Sequence, residues 1–152
     1  MLQKNAGHDS TQRTVLLATV NACMFVFGVI LLLMGSLLPT LGVSGMRAGS
    51  LGSLPLIGIL AATVLVGPLL DKIGAKPVLA VALGLIVAAL AVMPSLISMG
   101  ERAASALAYG CGGGALNTAT NALISDLSAT GRSAALNLLG FSFSLGAITA
   151  PS

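Results

Sequence analysis

Five stretches of this chain run for about 20 residues or more without one charged side chain: 14–46, 48–70, 77–100, 103–125 and 133–152. All seven Lys or Arg and all four Asp or Glu lie outside them. A helix of about 20 residues covers the roughly 30 Å of a hydrocarbon core. A charge at its centre costs about 2.5–3.5 kcal/mol on insertion scales. Eleven charges that all avoid the long runs therefore predict an all-α, polytopic transmembrane helix bundle of about five helices. The lipid bilayer is the first partner this implies.

Composition closes off the soluble classes. Charged residues make up 7% of the chain, against about 25% in ordinary soluble domains. The net charge of +3 does not point to nucleic acid, because no basic patch exists and the aromatics number four Phe and one Tyr. No cofactor or metal is expected: Cys23 and Cys111 stand apart inside apolar runs, and the single histidine, His8, lies in the polar start. A cleaved signal sequence is disfavoured, since the stretch 15–38 exceeds the about 7–15 apolar residues of such a segment.

The expected organisation is a cytoplasmic N-terminal tail at 1–13 and a transmembrane region at 14–152. Its helices fall at about 15–38, 51–70, 77–97, 103–125 and 133–152. Pro39, Gly42, Ser44, Gly45 and Gly49 supply breakers after the first. Pro55 and Pro68 lie inside the second, where membrane helices tolerate proline, and Pro94 suggests a kink in the third. The fifth stops at Pro151-Ser152 with no flanking charge, so the sequence is expected to be the N-terminal part of a longer protein. Lys4, Arg13, Lys72, Lys76 and Arg132 fall on one side of this topology and Arg47 and Arg102 on the other. The positive-inside rule then makes the N-terminus cytoplasmic; the expected location is a bacterial inner (plasma) membrane.

The connection between the second and third helices reads Gly67-Pro-Leu-Leu-Asp71-Lys72-Ile-Gly74-Ala75-Lys76. Physically it is a tight charged turn: Gly67 allows close packing, Gly74 can take a positive φ, and Asp71 can cap a helix N-terminus. It resembles the loop signature G-x-x-x-D-[RK]-x-G-[RK]-[RK] of the major facilitator superfamily, with Gly67, Asp71, Lys72, Gly74 and Lys76 matching and Ala75 departing from it. The resemblance implies a partial N-terminal half of a major-facilitator-type fold, whose partner is a missing C-terminal half. It also implies that Asp71 helps lock the two halves on the cytoplasmic side. Residues 110–121, with Arg132, Leu136 and Asn137, look like the fucose-permease-type sugar:proton symporter branch, although Asn117 stands where that branch usually has a glutamate.

Helical periodicity puts Ala106, Gly110, Gly113, Gly114, Asn117 and Asn121 on one face of the fourth helix. Gly110 and Gly114 form a G-x-x-x-G that admits close approach by another helix. Asn117 and Asn121 offer donors and acceptors to a polar solute, or else bind a neighbouring helix. Asn137 and Asn21 are further candidates of the same two kinds. The function expected is secondary active transport of a small polar solute, a class that includes sugar-like molecules, by alternating access. The alternative is a small oligomeric membrane protein complete in itself, exporter-like or an assembly subunit. An enzyme is not expected, because no nucleophile–base pair or ligand cluster is within reach in the sequence.

Overall fold

A computed structural model of the chain describes the backbone of residues 3–40, 42, 45–127 and 131–149. Five α-helices lie among them: α1 Gln3–Thr40, α2 Met46–Ile73, α3 Ala75–Val92, α4 Met99–Leu127 and α5 Arg132–Thr149. Residues 150–152 of the expected fifth helix, the expected breaker Ser44 and the side chains of Lys4, His8, Pro39 and Arg47 lie outside the described residues.

Three of the helices, α1, α2 and α4, are longer than the apolar runs that announce them. A hydrophobic run marks the part of a helix that meets lipid, whereas the backbone ladder continues until a residue breaks it. No proline occurs between Gln3 and Arg13, and α1 starts well ahead of the expected residue 15. Asp71, Lys72, Glu101 and Asp126 consequently sit in terminal turns of α2 and α4 rather than in loops. α3 goes the other way. It ends at Val92 and passes through a 3₁₀ turn, Met93–Ser95, before Leu96 becomes extended, so Pro94 terminates the helix instead of kinking it.

By length and composition, Arg13–Leu33, Gly49–Ile73 and Ala75–Ser95 are each apolar enough to cross a membrane. α4 is richer in glycine, alanine and amides, and α5 has only 18 residues.

The chain divides into two compact units. One joins α1, up to Leu32, with α5. Its core holds Val20, Met24, Phe27 and Leu139. The Phe27 and Phe143 rings lie 5.7 Å apart, tilted by 42°, and Ser142 Oγ donates to Asn21 Oδ1 at 2.9 Å. A side chain at Gly28 would overlap the backbone of Phe143, and one at Gly146 that of Phe25. These contacts advance together along both helices, so α1 and α5 run parallel.

The other unit holds α2, α3 and most of α4. Here α4 is the most buried element, with Ala106, Tyr109, Leu116, Ala119 and Thr120 all at 1% exposure or less. Gly110 meets Pro55 and Gly114 meets Ile59, so α4 runs parallel to α2. Ser105 Oγ donates to the Ala89 carbonyl at 2.8 Å, and Gly112 lies against Ala82 and Ile86. α4 is therefore antiparallel to α3.

Candidate functional site

The charged turn between α2 and α3 is a single residue long. Gly74 closes α2, donating its N–H to the Leu70 carbonyl at 2.9 Å, and is also the residue before α3. Its φ of 81° and ψ of 168° fall in a region open essentially to glycine alone. Asp71, Lys72 and Lys76 are all exposed. Two expectations are corrected here. The start of α3 has no side-chain cap, so Asp71 does not fill that role; it lies in the last turn of α2, ahead of Gly74. Gly67 has nothing within 4 Å of where a Cβ would stand, so among the described residues it serves no close helix contact.

On α4 the small residues admit backbone from two neighbours. A Cβ on Gly114 would lie 2.5 Å from the Ile59 carbonyl oxygen, and one on Gly110 would overlap Pro55. Gly58 completes the contact from α2, its Cβ position being 2.5 Å from the Leu107 oxygen and 2.8 Å from the Cys111 nitrogen. Gly58 had not been singled out from the sequence; the only signal was its place one turn after Pro55.

One turn further along α4, Asn121 Nδ2 donates to Asn117 Oδ1 at 3.0 Å. Both side chains are half-buried. Among the described residues the pair makes no other side-chain hydrogen bond, which leaves both N–H groups of Asn117, one N–H of Asn121 and the Asn121 carbonyl oxygen unspent. The other two asparagines are elsewhere. Asn21 is engaged within its unit, donating to the Leu17 carbonyl at 2.8 Å and accepting from Ser142. Asn137 is exposed on α5.

Two further features escaped the sequence reading. Ser98 and Glu101 form a reciprocal capping box at the start of α4: Glu101 Oε2 accepts from the Ser98 N–H at 3.1 Å, and Ser98 Oγ from the Glu101 N–H at 3.2 Å. Glu101 thus serves a helix start, not a loop ion pair, while Arg102 Nε donates to the Leu96 carbonyl at 3.0 Å. The S-x-x-E spacing was the available signal. The second feature is Tyr109, 1% exposed, whose hydroxyl has no hydrogen-bond partner among the described residues. Among those residues no three His, Cys, Asp or Glu side chains gather as metal ligands would.

The glycine turn with its flanking charges is the stretch that resembles the major-facilitator loop signature, and a wider comparison agrees. A sequence model of the Major Facilitator Superfamily matches residues 15–152, all but the first fourteen. The chain belongs to the major facilitator superfamily. It is accordingly an integral membrane protein of a secondary-transporter family. The match is to the superfamily as a whole and does not support the narrower fucose-permease-type branch. No curated protein and no solved structure gives a significant match to the chain.

Proposed function

We propose that this chain is the N-terminal part of an alternating-access transporter for a small polar solute, and that Asn117 and Asn121 contact that solute. The observation that carries the reading is the coupled amide pair on α4, half-buried yet with most of its hydrogen-bonding capacity unspent. A polar pair in a membrane bundle is expensive unless partnered. A hydroxylated solute, sugar-like in the sense of offering several donors and acceptors, satisfies amides of this kind. Asn21 already spends its carboxamide on Ser142 and fits a structural role better. Asn137, exposed and unpartnered among the described residues, stays a secondary candidate.

Alternating access rocks one bundle against another around a site near the bilayer midplane. The second bundle is the C-terminal half that the family likeness implies. Gly67, Asp71, Lys72, Gly74 and Lys76 form the gating element of this proposal, on the cytoplasmic side with the N-terminus. The exposed Asp71 carboxylate is free, among the described residues, to contact that other bundle. A bacterial inner membrane suits the basic bias of this side.

One experiment separates the two roles: solute binding and uptake measured for Asn117→Ala and Asp71→Asn in the full-length transporter, at matched membrane expression. Asn117→Ala should weaken binding by about tenfold, as expected for losing one or two hydrogen bonds to a buried solute. Asp71→Asn should leave binding intact and slow uptake. Unchanged kinetics for Asn117→Ala would remove the amide pair from the site, and wild-type uptake by Asp71→Asn would remove the gate.

A further inference from the structure

We propose that the groove between α2 and α3 holds one acyl chain of an anionic phospholipid, with the headgroup met by Lys72. The groove has a volume of about 280 Å³ and no polar lining. Leu65 and Ile73 of α2 face Val81 and Leu85 of α3 across it, and small side chains, Ala62 and Ala115, leave its floor low. Its rims stay uncovered: Leu65 is 72% and Val81 70% exposed.

Length and apolar lining point to the occupant. From Ala61 to Ile73 the groove follows α2 for about 18 Å, and from Val78 to Leu85 it follows α3 for about 10 Å; the two walls bracket the roughly 15 Å of hydrocarbon in one leaflet. Ala61 lies midway along the apolar span Gly49–Ile73, so the groove runs from the middle of the bilayer to its surface. The groove is open along its rims and wholly apolar, so what it offers over that length is contact for a hydrocarbon chain.

Charge supplies the headgroup preference. Lys72 follows Leu69, a groove residue, by three positions and so stands on the groove side of the last turn of α2. It is exposed and makes no ion pair among the described residues. Lys76 lies in the first turn of α3, two residues before the groove residue Val78 and hence on the far side of that helix. The inference is independent of which solute is carried.

The test is native mass spectrometry of the full-length protein in detergent micelles, with phosphatidylglycerol or phosphatidylcholine of identical acyl chains. Wild type should retain phosphatidylglycerol about fivefold better, the factor one lysine near an anionic headgroup supplies. Lys72→Gln should bring the ratio near one, and Lys76→Gln should leave it. Ala61→Leu, at the groove rim, should lower retention of both lipids about threefold, in proportion to the apolar contact it displaces. Circular dichroism should show native helicity in each variant, and if Ala61→Leu loses it the two lysine variants still decide. Equal retention of the two lipids by wild type would overturn the proposal. So would equal effects of Lys72→Gln and Lys76→Gln, or a lipid-free dimer that phosphatidylglycerol does not displace.

Discussion

Gly74 joins two long helices with one residue, and its backbone takes a conformation that costs other residues about 1–3 kcal/mol. There is open space where its Cβ would be, so a substitution here meets strain without a clash. Gly74→Ala should therefore lower the stability of the detergent-solubilised protein by about 1–3 kcal/mol, seen as a lower midpoint of thermal unfolding. An unchanged midpoint would mean that the turn has relaxed into another shape. The positive φ of Gly74 was legible beforehand from its place between two charged ends; the one-residue length of the turn was not, since the expected connection ran from 71 to 76. The roles of Gly67 and Asp71 were not. The sequence motif fixes their spacing, whereas what each touches depends on elements elsewhere in the chain.

At the scale of the element, α4 illustrates what a membrane asks of a helix that is covered by protein. Lipid rewards large apolar side chains, but helix contact within a bilayer rewards small ones, because no hydrophobic gain remains to be had there. Gly110 and Gly114 were readable as a contact because the G-x-x-x-G spacing is periodic. Gly58 and Gly112 lie outside that spacing and acquire meaning only against a partner. Gly110→Val should separate α2 from α4 and cost about 1–3 kcal/mol through overpacking. Gly84→Ala, in open space on α3, should be neutral or stabilising by up to about 1 kcal/mol through helix propensity. Thermal unfolding of the pair checks this: equal effects would show that the close contact is not what matters. The capping box at Ser98 and Glu101 was written plainly in the sequence and was masked by its neighbour, since Glu101-Arg102 also reads as a charged loop.

For the whole molecule, the charge pattern and the helix directions are two independent statements about topology. Apolar runs were legible because bilayer hydrocarbon excludes charge. Helix ends were not, because the flanking charges themselves join the terminal turns. Alternating spans put Lys72 and Arg102 on opposite faces of the membrane, and the antiparallel contact of α3 with α4 agrees with that alternation. Single cysteines replacing Lys72 and Arg102, in a background lacking Cys23 and Cys111, should react with an impermeant maleimide from opposite sides of intact cells. Lys72→Cys should label only after permeabilisation. Labelling of both from outside would invert or break the proposed orientation.

The contact of Gly58, Gly110 and Gly114 with the facing backbone also has a mechanical consequence. Side chains between two helices act as a compliant gasket, able to change rotamer and absorb a shift; here main chain rests on main chain over two turns. α2 carries Asp71 at one end and α4 carries the Asn117–Asn121 pair. At these glycines the gasket is missing, so a tilt imposed on α2 at its charged end should carry α4 and its amides along with it.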